Sequence, residues 1–268
     1  MISINTNYGS LFASKSASAA QKTMNTAMER LSSGLRINNA KDDAAGQGIA
    51  TRLSAEMMGL RMASRNASDA QAMIDTADGA HQEVHNMLLR MREIAVQAAN
   101  DTLSTADRTA LNEEVTALET EITAIADNTS FAGVNLGTST AVTFQIGTGN
   151  GDTLEHTFKD FDKTKIGASV AVDTITNAAS ALTLLDNAIS LVSTRRGELG
   201  ALSNRLSSTI ANLDNISVNL SSARGRIQDT DFAQETSNLA KSQIMQQAAT
   251  AMLAQANASK QTVLALIQ

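Results

Sequence analysis

The stretch "LRMASRNASDAQAMIDTADGAHQEVHNMLLRMREIAVQA", residues 60–98, decides the architecture. In alternating steps of three and four from Leu60, positions 60, 63, 67, 70, 74, 77, 81, 84, 88, 91, 95 and 98 read Leu, Ala, Ala, Ala, Ile, Ala, His, Val, Leu, Met, Ala and Ala. That spacing places every one of them on a single helical face. Only His81 breaks the apolar stripe. A helix from about residue 45 to 99 would be roughly 80 Å long at 1.5 Å per residue, far beyond an ordinary globular helix. This is coiled-coil geometry.

The second half repeats the pattern. Positions 182, 185, 189, 192, 196, 199, 203, 206, 210, 213, 217, 220, 224 and 227 form another stripe, interrupted by Arg196, Ser203, Ser217 and Arg224. Polar residues at such positions either pin the register of a helix pair or lie at the edge of its seam. Between the two stripes, Ser104-Thr105-Ala106-Asp107 reads as a capping box with Asp in place of Glu. Leu111, Val115, Leu118, Ile122 and Ile125 supply a third, shorter stripe. After Asn128 the period changes to two: Val142, Phe144 and Ile146, then "GTGNGD", then Leu154, His156 and Phe158, which is a β-hairpin signature.

Both ends carry weaker amphipathic stripes of small or flexible residues: Ala17, Ala20, Met24, Ala27 and Leu31, then Met245, Ala249, Met252, Ala256, Val263 and Ile267. Such stripes bury little apolar area against roughly 1–2 kcal/mol of backbone entropy per residue. These arms are expected to be largely disordered alone and helical when packed with other copies. The expected fold is therefore mostly α: a long antiparallel coiled-coil bundle with a small β-hairpin region and paired terminal helices.

Composition narrows the function. The 268 residues contain no Cys, Trp or Pro. Average usage would give about 13 prolines, so their absence suits long helices that tolerate no missing N–H. Without Cys there are no disulfides, thiolate metal sites or Cys nucleophiles. A net charge of −6 argues against a nucleic-acid binder. No window approaches 18 uninterrupted apolar residues, so no membrane insertion is expected, and no cleavable signal is legible at the N-terminus.

Two segments invite chemistry. "HQEVH", residues 81–85, has the His spacing of a zinc helix, but Glu83 stands one place too late and no third ligand is evident. Ala44-Ala45-Gly46-Gln47-Gly48 lacks the third glycine of a dinucleotide cradle and the Gly-Lys-Ser/Thr of a phosphate loop. A bend or a tight approach between helices accounts for its glycines better. No catalytic, cofactor or metal residues are expected.

The sequence resembles bacterial flagellin. The matching segments are "INTN" (4–7), "ERLSSGLRINNAKDDAAGQGIA" (29–50), "ASRNASDA" (63–70), "MREIAVQAAND" (91–101), "NRLSSTIANLDN" (204–215), "LSSARGRIQDTDFAQETSNLAKSQIMQQAATAMLAQAN" (220–257) and "VLALI" (263–267). Together they cover nearly the whole chain outside 138–175. The resemblance implies a secreted subunit that self-polymerises into the extracellular flagellar filament for motility, exported unfolded through the flagellar type III channel. A hook–filament junction (hook-associated) protein is the alternative, and an enzyme a distant third, because 38 residues between 138 and 175 cannot hold the peptidase insert of some flagellins.

The same resemblance implies a division of labour. Residues 1–44 and 229–268 would form a discontinuous inner terminal-helix domain, and 45–228 an outer bundle with a hairpin region at about 130–175. Ala17, Ala20, Met24, Leu31, Met245, Met252, Val263 and Ile267 would pack the filament core. Arg36, Asn38, Lys41, Asp42, Asp43 and Gly46 would shape the spoke joining the terminal helix to the long one. Leu89, Arg90 and Ile94, with Glu114, are similar to the site by which some flagellins are sensed by the Toll-like flagellin receptor, with a protofilament contact as the other reading. Further implied partners are an export chaperone on the C-terminal arm and the hook-associated and cap proteins. Two departures stand out: Lys260 replaces a proline common in the family, and Phe131-Ala132-Gly133 replaces Phe-Asn-Gly.

Overall fold

The computed structural model describes residues 6–265, with side chains as far as Gln261. In chain order the elements are α1 (Tyr8–Ser33), α2 (Ala44–Ala98), α3 (Thr105–Asn128), β1 (Ser130–Phe131), β2 (Val134–Asn135), β3 (Thr140–Gln145), β4 (Thr153–Phe158), α4 (Lys163–Ile166), α5 (Ile175–Gln228) and α6 (Phe232–Ala265). The chain divides into two compact units, residues 1–55 with 219–268, and residues 56–218. The division thus falls inside α2 and α5, whereas the ends of those helices lie near 44 and 228.

In the 56–218 unit, all twelve stripe positions from Leu60 to Ala98 are buried, His81 included. On α5 a buried residue recurs every seventh position, at Ala178, Leu185, Val192, Leu199, Leu206 and Leu213, with Ala181 and Ala188 buried beside them in the first turns. Gln71 donates to Ser203, Arg196 to Asp78 and Arg92 to Asp186. One number falls as the other rises, so α2 and α5 run antiparallel. Arg196, Ser203 and Ser217 are half-buried at the margin of the seam. The bonds from Arg196 and Ser203 reach across to α2, so a position at the edge and a contribution to register coexist.

Helix α3 starts at the expected capping box, in which Ser104 accepts from Asp107 N and Asp107 accepts from Ser104 N. Its Val115 and Ile122 join Val84, Leu88, Met91, Phe161 and Leu185 in one core cluster. Burying each large aliphatic stabilises by about 1.5–3 kcal/mol before entropy is counted. Arg108, buried on α3, donates to Ala98 O at 3.0 Å and Asn100 O at 2.9 Å, closing the carbonyl end of α2. Glu119, also buried, accepts from Val170 N at 2.7 Å and Lys163 Nζ at 3.2 Å, which ties the segment after α4 to α3.

The period-two segment folds as expected. Strands β3 and β4 pair antiparallel with Val142 opposite His156 and Phe144 opposite Leu154. Leu154 and Phe158 enter a second core cluster with Ala70, Ile74, Leu136 and Leu206. A smaller hairpin, β1–β2, turns through Ala132 (φ +50°) and Gly133 (φ +84°). A window of α5 reaches a mean hydropathy of 1.2 and is long and apolar enough to cross a membrane by those criteria alone. Its seven-residue seam lies against α2, as the core stripe of a packed helix does.

In the other unit, α1 and α6 lie antiparallel: Asn7 donates to Ala256 O at 3.1 Å, Gln246 pairs with Gln21, and Arg30 meets Glu235 at 2.8 Å. Their buried positions also step by seven, namely Ala13, Ala20 and Ala27 on α1 and Glu235, Ser242 and Ala249 on α6. Helix α6 runs unbroken through Lys260, where the family's proline would have interrupted the hydrogen-bond ladder.

Candidate functional site

The α1–α6 pair buries small side chains and leaves large ones outside. Ala20 is buried, and Ala17, Met24 and Leu31 are half-buried. Met245 and Met252, expected in the same stripe as Ala249, are 51% and 64% exposed. Tyr8, Leu11, Phe12, Met28, Phe232 and Ile244 are exposed as well. Within one chain, then, the pair closes on a narrow alanine-rich seam and displays a broad apolar periphery. The Val263 side chain and Ile267 lie outside the described residues.

The spoke is built from backbone capping. Gly34 ends α1 in the left-handed conformation, and its carbonyl accepts from Thr230 N at 3.0 Å. Arg36 N donates to Gln228 O at 2.7 Å, and the Arg36 guanidinium to Ile227 O. The Asp42 carboxylate accepts from the amides of Asn38 (3.2 Å) and Asn39 (3.0 Å), and the bond from Asn39 chiefly holds its pKa below the ordinary value. Asn38 also donates to Leu35 O. Asp43 accepts from Gly46 N at 2.9 Å, capping the start of α2. Lys41 is exposed.

The glycines do not bend the chain: both lie in the first turns of α2. Gly46 is nevertheless closely approached: a Cβ there would stand 2.7 Å from Ile37 Cδ1 and 2.4 Å from Asp43 Oδ2, so one of these side chains would have to shift. Gly48 faces open space. The tight approach therefore belongs to Gly46 alone.

On the α2–α3 face, Arg90 donates through Nε and Nη2 to Glu114 Oε1 at 2.9 and 2.8 Å and through Nη1 to Glu93 at 3.1 Å. The Glu114 bond chiefly raises the Arg90 pKa. Leu89 is 42% exposed, whereas Ile94 is 1% exposed and belongs to the core. Within this unit the Ile94 side chain packs in the core, while Leu89 is at the surface.

The histidines of "HQEVH" take different places. His81 is buried, its ring 4.6 Å from that of Phe161, and His85 is half-buried. Burial, followed by the Arg195 charge, lowers the His81 pKa to about 4. No group of three or more His, Asp or Glu side chains that could hold a metal ion occurs among the described residues. Sequence reading missed Arg108, Glu119 and Glu235 as buried charges. Arg108 lies seven before Val115 and Glu119 three before Ile122, so the periodicity itself was the available signal.

Long paired helices with a small-residue seam and an unburied apolar periphery define a helical subunit built to associate. Residues 4–140 match the bacterial flagellin N-terminal helical region, and residues 182–267 the bacterial flagellin C-terminal helical region. The chain belongs to the bacterial flagellin family. It is 44% identical to a flagellin of Halalkalibacterium halodurans over 247 residues, 90% of this chain and 91% of that one. It is 33% identical to flagellin D of Vibrio anguillarum over 374 aligned positions, 99% of each chain. The crystal structure of Bacillus cereus flagellin superposes with a TM-score of 0.52 at 32% identity, covering 56% of this chain and 88% of that chain. A putative flagellar hook-associated protein from Vibrio parahaemolyticus shares the fold, with a TM-score of 0.61 at 16% identity over 70% of this chain.

The protein is accordingly a structural subunit of the extracellular flagellar filament, not an enzyme, and it polymerises with itself among the components of the flagellum.

Proposed function

We propose that residues 1–44 and 229–268 form the inner layer of the filament and drive its assembly, with residues 45–228 as the outer layer. The observation that carries this reading is the exposed apolar periphery of the α1–α6 pair, above all Met245 and Met252. Neighbouring copies bury these side chains, and in the sequence Val263 and Ile267 continue the apolar pattern. Each fully buried methionine contributes about 1.5–3 kcal/mol, so the contacts between copies supply what the alanine seam within one chain does not. In this reading the subunit passes unfolded through the flagellar type III channel, an export chaperone holds the arm from about 229 to 268 beforehand, and hook-associated and cap proteins bound the polymer. Leu89, Arg90 and Glu114 form the surface offered to the Toll-like flagellin receptor or to a neighbouring protofilament.

Seeded growth followed by light scattering and electron microscopy tests the assembly role. Full-length chain is expected to extend fragments into long filaments, and chain lacking 229–268 to leave them unchanged. Met245→Glu with Met252→Glu should block elongation while leaving the helical content of the outer unit intact. Elongation undiminished by the double substitution would remove the assembly role assigned here, and intact chain that stops at short rings would indicate a junction protein.

A further inference from the structure

The tip of the β3–β4 hairpin holds the chain's one Asn-Gly pair, Asn150-Gly151. Both residues are exposed. Gly151 has φ +95°, and nothing lies within 4 Å of where a Cβ would stand. Its carbonyl accepts from Thr153 N, while its N–H donates to no group among the described hydrogen bonds. The rest of the loop is tied down by Asp152: its carboxylate accepts from Gly149 N at 2.8 Å, its N–H donates to Gly149 O at 3.3 Å, and its carbonyl accepts from Ile146 N at 3.0 Å. An exposed carboxamide therefore precedes an unhindered, uncommitted backbone amide in an otherwise anchored turn.

We propose that Asn150 is a site of spontaneous, non-enzymatic deamidation that converts the hairpin tip to an aspartyl or isoaspartyl linkage. The Gly151 backbone nitrogen attacks the Asn150 side-chain carbonyl carbon, giving up its proton to solvent. The five-membered ring closes, the carboxamide nitrogen takes a proton from solvent, its bond to carbon breaks, and ammonia leaves a succinimide. Water then opens the ring. Cleavage at the side-chain carbonyl restores an ordinary peptide bond with Asp at 150, and cleavage at the main-chain carbonyl leaves the chain running through the side chain as isoaspartate. One water enters and one ammonia departs, with no change of oxidation state and no co-reactant.

Glycine matters because any Cβ at 151 would crowd the attacking nitrogen and restrict the turn. Asn39-Ala40 is the internal comparison, since Asn39 is exposed outside a helix but is followed by a Cβ and bonded to Glu29. The isoaspartyl product lengthens the backbone beside Asp152 and adds a negative charge, which strains both Gly149–Asp152 bonds. Loss of ammonia is irreversible in dilute aqueous solution, so the deamidated tip is retained for as long as the subunit stays in the extracellular filament.

The test is to age the purified full-length chain, as monomer and as filament, at mildly alkaline pH and to map peptides by mass spectrometry with fragmentation that separates Asp from isoAsp. Asn150 should convert at least roughly tenfold faster than Asn39, from the steric freedom of glycine, and isoAsp should exceed Asp. Asn150→Gln, which would need a slower six-membered ring, should abolish conversion at this position and leave the hairpin folded. Hydrogen exchange at Gly149 and Asp152 should rise in the isoaspartyl form and stay near native in Asn150→Asp before it isomerises. Conversion at Asn150 no faster than at Asn39, or an intact Asn150 while other asparagines convert, would overturn the proposal.

Discussion

The ring of His81 lies 4.6 Å from that of Phe161, tilted by 53°, at the one polar position in the long stripe of α2. Around it stand Asp78 on its own helix, Arg195, Arg196 and Glu198 on α5, and His156 and Lys159 from the hairpin side. Its Nδ1 is buried and finds no hydrogen-bond partner among the described residues.

That placement makes the 56–218 unit acid-sensitive. Burial holds the folded pKa at about 4 against 6.5, so on acidification the unfolded chain binds the proton first. Stability is fully present above about pH 6.5 and is lost as pH falls toward 4, by roughly 3 kcal/mol at most. Urea unfolding of the full chain across that range should show the slope. His81→Leu should flatten it, leaving the smaller contribution of His156, whose pKa burial also lowers. An unchanged slope in His81→Leu would refute this assignment.

The two-residue turn of β1–β2 carries its strain at Ala132, whose φ of +50° costs a non-glycine residue about 1–2 kcal/mol. Asparagine tolerates that conformation and suits a hairpin turn with positive φ at both positions. Ala132→Asn should therefore raise stability by about 0.5–1 kcal/mol. Chemical denaturation of the pair of chains decides it, and a loss of stability would contradict the account.

The glycines of α2 offer a paired comparison. Gly46→Ala gains helix propensity of up to about 1 kcal/mol but drives a methyl into Ile37 and Asp43, so overpacking of about 1–3 kcal/mol should win. Gly48→Ala gains propensity without a clash. Thermal melts followed by circular dichroism should move in opposite directions for the two variants. Parallel shifts would mean that Ile37 gives way.

Arg108 closes α2 with two bonds to carbonyls from a buried position. Arg108→Met keeps much of the packing volume and removes both donors, at a cost of about 2 kcal/mol for charged hydrogen bonds. Amide exchange in the last turn of α2 should accelerate more than elsewhere in the unit. A uniform increase throughout the unit would point to lost packing instead.

Much of the 56–218 unit was legible from spacing. The stripe from Leu60 to Ala98, the capping box at Ser104 and Asp107, and the alternation from Val142 to Phe158 are signals between near neighbours, and all three appear where the spacing put them. The spoke was less legible. Gly46 and Gly48 look alike in sequence, yet Ile37 approaches only one of them. The β1–β2 turn and α4 are too short to leave a periodic trace.

What the sequence determined by itself is the helical repeat: which residues share a face follows from the pitch of the backbone, whatever packs against it. Only the tertiary structure decided which shared face is covered. Leu89 and Ile94 are both apolar residues of α2, and the neighbours within the unit bury Ile94 and leave Leu89 in solvent. Met245, Ala249 and Met252 belong to one stripe, and the close approach of α1 covers the alanine while both methionines remain outside. Burial depends on where a second element sits, and that position comes from packing and cross-helix bonds between residues as far apart as Arg30 and Glu235, which no local period records.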